Sequence, residues 1–277
     1  GTMGSKVCNN IIEGGFQVTC FDKRKESYNQ LRGNFNTVEN IESVFTNSEI
    51  IFLSLPGSQE VEEVTTVFLT LSGTAKTVID LSTSYPASTK QIYEKFKQKN
   101  WHFADAPLSS TPEQARQGEL NILFGGDQAT YNKCLPIMKT FGKKVHYMGE
   151  AGSGNITKLI NNYFSIMYGI LYAEGFAFAK KAGMDVKHLF DVIGESGVNC
   201  GMYQHAGRKI VEENDDPVFA LKLGLKDLTY FKQLHEDSQL PALVLDSGLN
   251  LLRIAKSHGL EERDITATSQ VIQNMQK

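Results

Sequence analysis

The chain of 277 residues has no excess of charge of either sign. Its 28 lysine and arginine residues are nearly balanced by 31 aspartate and glutamate residues, which gives a formal net charge of −3. A nucleic-acid or anionic-membrane partner requires a basic surface, so this balance argues against both as main partners. A mean hydropathy of −0.26 and an aromatic content of 10% argue against a disordered chain.

Long apolar runs and clustered cysteines are absent as well. The longest apolar run, residues 163–173, covers about eleven residues and is too short to cross a bilayer. The six histidines form no spaced cluster, and the four cysteines form no CxxC pair: Cys8, Cys20, Cys134 and Cys200. We therefore expect neither a metal site nor a disulfide framework. Reduced cysteines are typical of the cytoplasm or an organelle matrix, and we expect a cytoplasmic protein.

Apolar runs alternate with helical patterns in the first half of the chain. Candidate strands rich in Val, Ile and Phe lie at residues 18–21, 50–55, 77–81, 102–106, 121–124 and 144–147. Several are apolar on successive residues, as buried parallel strands are. The helical patterns between them lie at residues 61–71, 89–98 and 128–140. This alternation indicates an α/β domain with a Rossmann-type doubly wound sheet over residues 1–150.

The strand signal stops near residue 150. Four helical patterns follow, at residues 155–182, 186–193, 221–234 and 242–257. We therefore predict an all-α domain over residues 151–277.

A glycine-containing turn opens the chain. Gly1, Thr2, Met3 and Gly4 lead into a helical pattern, and Asp22 closes the next candidate strand 18 positions after Gly4. In a dinucleotide fingerprint, such a turn brings backbone close to the pyrophosphate, and an acidic residue roughly 20 positions on binds the ribose. Only G-x-x-G is present, a pattern that an ordinary turn also gives. We expect the first strand and one further glycine to lie upstream of residue 1.

The residues after this strand bear on the choice of cofactor. Asp22 favours NAD, because a carboxylate repels the 2′-phosphate of NADP. Lys23 and Arg24 follow at once and are suited to bind that phosphate. NAD is favoured slightly, and NADP stays open.

Polar residues form a stripe on the longest helical pattern. Lys158, Asn161, Asn162 and Ser165 are spaced to share one helix face. Their neighbours are mostly apolar, so we expect this helix to be buried on most of its circumference. A buried lysine is costly unless it is paired or used, and burial lowers its pKa towards the range of general acid–base catalysis. The alternative is a structural polar contact between domains.

Ordered motifs run through the whole chain and resemble those of the β-hydroxyacid dehydrogenases, which include 3-hydroxyisobutyrate dehydrogenase and the tartronate, succinic semialdehyde and glyoxylate reductases. The motifs are the opening turn, Leu55-Pro56, the segments 80–86 and 105–109, Gly152-x-Gly154-x-x-x-Lys158-x-x-Asn161-Asn162, Lys226-Asp227 and Asp264. The resemblance implies an NAD(P)-dependent oxidoreductase acting on a small 3-hydroxyacid or semialdehyde. It also implies a homodimer or homotetramer formed through the α domain.

The resemblance also implies a role for each matching residue. Lys158 is the general acid/base, Asn162 orients the substrate, and Asn161 supports the helix or the substrate hydroxyls. Lys226 closes over cofactor and substrate, with Asp227 orienting it. The other implied cofactor contacts are Gly1, Thr2, Met3, Gly4, Asp22, Lys23, Arg24, Leu55, Pro56, Ser82 and Thr83.

One motif departs from the family pattern. The family usually has Ser-Gly-Gly where this chain has Ser109, Ser110 and Thr111, followed by Pro112. We expect Ser109, Ser110 and Thr111 to bind the substrate, but the change leaves the substrate open. Three alternatives also share the architecture: a 6-phosphogluconate dehydrogenase, which carries a histidine in place of Asn161; an imine reductase, which generally lacks the lysine; and a non-catalytic nucleotide-binding relative.

Overall fold

The apolar runs of the first half form a mixed β-sheet in the computed structural model, which describes residues 1–74, 76–109 and 111–275. Strands β3, β4 and β5 are parallel neighbours, and β7 pairs with β5, β6 and β8. Strands β1 and β2 form a separate parallel pair. The strands are β1 (Thr19–Cys20), β2 (Asn36–Thr37), β3 (Ile50–Leu53), β4 (Thr77–Asp80), β5 (His102–Asp105), β6 (Leu108–Ser109), β7 (Leu120–Gly125) and β8 (Gly142–Gly149).

Helices cover both faces of this sheet. Successive strand residues point to opposite sides, so strands that are apolar throughout present an apolar surface on each face. Val78 packs in one cluster with Phe45 and Phe96, whereas Ile79 packs in another with Val7 and Met138. The helices are α1 (Gly4–Glu13), α2 (Ile41–Asn47), α3 (Ser58–Thr70), α4 (Pro86–Gln98), α5 (Pro112–Arg116) and α6 (Gln128–Phe141). The predicted Rossmann-type fold is confirmed.

The pairing of β7 differs from the sheet that the apolar runs indicate. β7 meets β5 in antiparallel orientation at the pair Asp105 and Gly125, so the sheet is not wholly parallel. Its apolar run is buried all the same, and burial, not strand direction, sets that pattern. β2 and β6 were not predicted, because each is two residues long and lacks an apolar run.

The chain divides into two compact units, Gly1–Lys158 and Leu159–Lys277. The second is helical, with one core around Ile166, Leu228 and Leu252 and another around Phe176 and Phe190. Its helices are the continuation of α7 (Ser153–Lys181), then α8 (Val186–Gly194), α9 (Arg208–Val211), α10 (Leu221–Asp237), α11 (Leu243–Ser257) and α12 (Thr268–Asn274). The prediction of a helical second domain is confirmed. Among the described residues, no helix combines the length and apolar character needed to cross a membrane.

The expectation that α7 is buried on most of its circumference holds in part: most of its residues are buried or half-buried, but one apolar face is exposed. Phe164, Leu171 and Phe178 are 55%, 59% and 73% exposed, and Tyr168 lies between them at helical spacing. The opposite side, including Ile166 and Ile170, is buried in the second unit. The helix is apolar on both sides, but only one side packs into a core.

Candidate functional site

The parallel strands β3 and β4 end side by side, and the loops that follow them are tied together. In a doubly wound sheet, ligands bind at this carboxyl edge. The backbone N–H of Leu55 donates to the Ser82 hydroxyl over 2.9 Å, which joins the two loops. Pro56 and Thr83 follow these two residues in their loops. Four residues expected to contact a cofactor therefore lie on adjoining loops.

The opening turn lies against the same edge. Gly1, Thr2 and Met3 precede α1, which begins at Gly4. A Cβ atom on Gly4 would lie 3.3 Å from the Ser54 side chain, so glycine allows the helix start to approach the loop after β3. Within the described part of the chain, no side chain caps this helix start. The backbone N–H groups and positive dipole end of a helix N-terminus suit an anion such as a pyrophosphate.

Asp22 lies beside a groove at the end of the β1–β2 pair. Its carboxylate accepts hydrogen bonds from the nitrogen of Gly1, over 2.9 Å, and from the backbone N–H of Arg24, over 2.8 Å. The groove has a volume of about 410 Å³ and is lined by Phe21, Asp22, Lys23, Lys25, Tyr28, Thr37, Val38 and Glu39. An aromatic and apolar wall with a carboxylate at its edge fits an adenosine group, whose ribose hydroxyls donate to the acid.

The start of α7 is held by a buried carboxylate. Asp105, at the end of β5, is fully buried and accepts the backbone N–H groups of Gly152, over 2.7 Å, and Asn155, over 2.6 Å. Burial raises its pKa to about 7; the two N–H groups oppose this rise, and neighbouring Asp80 adds to it. A carboxylate that accepts the first N–H groups of a helix stabilises that end.

A second buried carboxylate extends this contact to the loop after β4. Asp80 accepts the Ser82 N–H over 2.9 Å and the Ser84 hydroxyl over 2.7 Å. The Ser84 N–H donates in turn to the Asn155 side chain over 2.9 Å. Gly154 lets the helix approach this closely, because a Cβ there would overlap the carbonyl oxygen of Leu123. The first turn of α7 is thus fixed from two neighbouring strands.

Lys158 lies on the second turn of α7, directly after this anchored first turn. Its side chain is half-buried. The sequence motif singled out the lysine and the glycines before it, but gave no role to Asp80 and Asp105. The sequence signal for both carboxylates was an acidic residue at the end of an apolar strand. The partners of Asp105 could not be found from a local pattern, because they lie 47 and 50 positions further along the chain.

The second unit contains a network of hydrogen-bonded polar side chains. Asn162 is buried and donates to the Asp227 carboxylate over 2.6 Å, and Asn161 donates to Asn162 over 3.4 Å. Lys226 forms an ion pair with Asp227 over 3.1 Å and lies over the Tyr230 ring. The structure therefore brings Asn161, Asn162 and Lys226 together around one buried carboxylate.

The loop that departs from the family pattern is partly described. Ser109 ends β6, and Ser110 lies outside the described residues. Thr111 caps α5 in a capping box: its hydroxyl accepts the Gln114 N–H over 3.3 Å, and its own N–H donates to the Gln114 side chain over 3.0 Å. This box and Pro112 fix the direction in which the chain leaves the loop.

Both halves of the chain match known families. Residues 1–149 match the NAD binding domain of 6-phosphogluconate dehydrogenase, and residues 152–272 match the NAD-binding domain of NADP-dependent 3-hydroxyisobutyrate dehydrogenase. The glyoxylate/succinic semialdehyde reductase 2 of Arabidopsis thaliana is 28% identical over 98% of this chain and 77% of its own length. A probable 3-hydroxyisobutyrate dehydrogenase-like protein 1 of the same plant is 30% identical over 82% of this chain and 70% of its own.

A solved structure supports the fold. The 3-hydroxyisobutyrate dehydrogenase of Mycobacterium tuberculosis, determined with L-serine, superposes with a TM-score of 0.89 over 98% of this chain and 96% of that protein, at 21% identity.

The Asp105 anchor predicts a loss of stability on substitution. Asp105→Asn replaces one acceptor oxygen by an NH₂ group that faces a backbone N–H, so we expect a loss of about 1–3 kcal/mol in the free energy of unfolding. Urea denaturation measures this loss. Asp185→Asn is the matched control, because exposed Asp185 caps α8 through the N–H groups of Lys187 and His188. An equal or smaller loss for Asp105→Asn than for the control contradicts the anchor.

The same variant has a pH signature. The pKa of Asp105 is about 7 in the folded protein, against 3.8 for an exposed aspartate. Between these values the folded state binds the proton more tightly, so stability falls as pH rises from about 4 to about 7. Asp105→Asn removes this titration, and we expect its stability to decline less over that interval. Parallel profiles for the two proteins would refute the assignment.

Proposed function

The chain belongs to the β-hydroxyacid dehydrogenase family, whose members use NAD or NADP, and we propose that it interconverts a small 3-hydroxyacid and the corresponding semialdehyde. The observation that carries this proposal is Lys158 on the second turn of α7, directly after a turn anchored by two buried carboxylates. The names of the two plant relatives support a semialdehyde or glyoxylate substrate. L-serine, present with the mycobacterial enzyme, is itself a 3-hydroxyacid.

The residues of the first unit fit a dinucleotide. The uncapped start of α1, with Gly1, Thr2, Met3 and Gly4, would hold the pyrophosphate, and the groove beside Asp22 would hold the adenosine. The adjoining loops would contact the nicotinamide half of the dinucleotide through Leu55, Pro56, Ser82 and Thr83. When bound, the nicotinamide supplies the hydride acceptor or donor of the reaction.

We assign proton transfer to Lys158. In oxidation its amine takes the proton of the substrate 3-hydroxyl as the hydrogen on the same carbon leaves as hydride; in reduction its ammonium returns that proton to the carbonyl oxygen. A group that transfers protons must stay within hydrogen-bond reach of the reacting oxygen. The anchored first turn of α7 supports this role, because it limits the movement of the helix that carries the lysine.

We assign substrate orientation to the asparagines one turn further along. Asn162 and Lys158 are four positions apart, which places them on one face of α7. Asp227 fixes the Asn162 amide and leaves its carbonyl oxygen to accept from Asn161, so the orientation of the amide group is set. Lys226, held by the same carboxylate, supplies positive charge for an anionic substrate or cofactor group.

Ser109, Ser110 and Thr111 are proposed to receive the substrate carboxylate. A loop with Ser-Gly-Gly offers flexible backbone N–H groups, whereas this loop is followed by a helix cap and Pro112. The N–H and hydroxyl of Thr111 already donate to the Gln114 side chain in this cap, so a substrate acid group would compete with Gln114 for them.

We further propose that the chain forms a homodimer or homotetramer through the exposed face of α7. Exposed contiguous apolar surface commonly marks a protein interface, and this face carries Ile160, Phe164, Tyr168, Leu171 and Phe178 at helical spacing. These exposed apolar residues extend along α7 from Ile160 to Phe178, which suits a long contact with the same helix of a second copy. We also propose a reducing compartment such as the cytoplasm, because the four cysteines have no CxxC or repeated spacing of a disulfide framework.

The assignment of Lys158 predicts a loss of turnover without a loss of cofactor binding. Lys158→Ala removes the proton-transfer group, so we expect kcat to fall by about 10²–10⁴-fold while NADH and NADPH still bind. Absorbance at 340 nm, with both cofactors tested against semialdehydes, glyoxylate and 3-hydroxyacids, measures turnover. Lys181→Ala, at the exposed far end of the same helix, is the control and should keep wild-type rates. Unchanged turnover in Lys158→Ala refutes the role, and no turnover by the wild type with any pair favours a non-catalytic relative.

Asp22 predicts the preference between the two cofactors. Asp22→Ala removes a carboxylate that accepts from ribose hydroxyls and repels a 2′-phosphate. The affinity for NADH should therefore fall, and the affinity for NADPH should increase relative to that for NADH. Fluorescence titration with each cofactor measures the ratio of the two dissociation constants, and we expect it to shift about tenfold towards NADPH. The control is Glu26→Ala, which removes an exposed acid from outside the groove lining. An unchanged ratio contradicts the proposed contact.

The exposed face of α7 predicts how the protein associates. Leu171→Glu with Phe178→Glu places two charges on this face, and we expect light scattering to show a monomer where the unaltered protein is a dimer or tetramer. The control is Lys181→Glu, on the same helix. A wild-type protein that is monomeric at all concentrations, or a double variant that keeps the wild-type mass, excludes this interface.

A further inference from the structure

One fully buried side chain joins the loop after β4 to the helix that carries Lys158. Asn155 lies on the first turn of α7, three positions before the lysine, and none of its surface is exposed. Its side-chain oxygen accepts the backbone N–H of Ser84 over 2.9 Å, and its side-chain nitrogen donates to the Thr89 hydroxyl on α4 over 3.2 Å. All four residues belong to the first compact unit. Both polar groups of the amide are thus bonded to elements other than α7.

The two elements that Asn155 joins are each held without its side chain. The Ser82 N–H donates to Asp80 and the Leu55 N–H donates to the Ser82 hydroxyl, which holds the loop after β4. The start of α7 is held by backbone N–H groups, including that of Asn155 itself, which donate to Asp105. Alanine at position 155 would keep this N–H. What the side chain adds is therefore the position of one element relative to the other.

The proposed reaction makes this relative position important. Oxidation removes two hydrogens from one carbinol group of the substrate: hydride leaves the carbon for the nicotinamide, and a proton leaves the oxygen for Lys158. The loop with Ser82 and Thr83 is proposed to hold the nicotinamide half of the dinucleotide, and α7 carries the proton acceptor. Because the carbon and the oxygen are bonded to each other, the two acceptors must keep a fixed separation for both transfers to occur.

We propose that Asn155 is a positioning residue that sets the separation between the loop after β4 and Lys158, and that Thr89 orients its amide. The inference rests on the proposed oxidoreductase function. The two ends of an asparagine amide have nearly the same shape, but only one orientation points the oxygen at the Ser84 N–H. The Thr89 hydroxyl donates to the Tyr85 carbonyl oxygen over 3.4 Å, so it accepts from the Asn155 NH₂ group and fixes that orientation.

The test is a double-mutant cycle in the full chain. Asn155→Ala should lower kcat by about 10–100-fold, because Lys158 is no longer held in place relative to the cofactor loop. In the Lys158→Ala background the same substitution should change the residual kcat by less than about twofold, because no lysine is left to position. Equal fold losses in the two backgrounds overturn the proposal, since a purely structural role lowers turnover whether or not the lysine is present.

Substitutions at Thr89 keep the test independent of a folding defect at position 155. Thr89→Val keeps the shape of the side chain but removes its hydroxyl, and should lower kcat about tenfold, whereas Thr89→Ser keeps the hydroxyl and should restore the wild-type value. The matched control is Thr65→Val, because Thr65 is equally buried and its hydroxyl donates within its own helix, to the Val61 carbonyl oxygen. A wild-type kcat in Thr89→Val, or an equal loss in Thr65→Val, overturns the proposal.

Failure of the proposed function gives a different result. A wild-type chain that turns over none of the tested substrates, or a Lys158→Ala variant with wild-type turnover, overturns the function and the positioning role with it. An Asn155→Ala variant that matches the wild type while Lys158→Ala loses turnover overturns the positioning role alone. Fluorescence titration completes the comparison: Asn155→Ala should bind NADH and NADPH within about twofold of the wild type, because the loop after β4 keeps its own hydrogen bonds. A loss of affinity as large as the loss of kcat contradicts the role.

Discussion

The Asp105 carboxylate is the contact on which the geometry of the first unit depends. It closes a central strand of the sheet, is removed from water, and accepts the first N–H groups of the longest helix. A buried carboxylate is tolerated only where such donors replace its hydration. The same two hydrogen bonds that make the burial tolerable also set where α7 starts, so strand, helix start and the position of Lys158 are one structural unit.

Hydrogen bonds of serine residues also join the loops at the carboxyl edge of the sheet. The Ser82 N–H donates to Asp80 and the Ser82 hydroxyl accepts from the Leu55 N–H. The Ser84 hydroxyl donates to Asp80 and the Ser84 N–H donates to the Asn155 side chain. These short side chains connect loops that would otherwise move independently. Binding groups held in this way lose little conformational freedom when a ligand arrives, which preserves affinity.

The sequence predicted the features that local patterns encode. The alternation of apolar runs and helical patterns gave the α/β unit and the helical unit, and the motifs placed Gly4, Asp22 and Lys158 on the elements where they lie. The two-residue strands β2 and β6 were not predicted, because neither lies in an apolar run.

Other features depend on tertiary structure and were out of reach. The hydrogen bonds of Asp105 join residues far apart in the chain, and no periodicity reports them. The sequence left open whether the aromatic residues of α7 pack in a core or against another subunit, because Phe164 and Leu171 are equally apolar in both places. Thr111 was interpreted as a substrate contact only, although Thr-x-x-Gln at residues 111–114 is also the pattern of a capping box.

The long separation between Asp105 and its partners also affects the order in which the molecule assembles. α7 can form its internal hydrogen bonds within about a microsecond, because they are local. The anchor at Asn155 is 50 positions from Asp105, and closing such a loop carries an entropic cost that the pairing of β5 and β7 must first offset. The turn before Lys158 is therefore fixed only once the sheet is complete. Nascent or damaged chains with an unfinished sheet therefore lack the anchored turn that precedes Lys158.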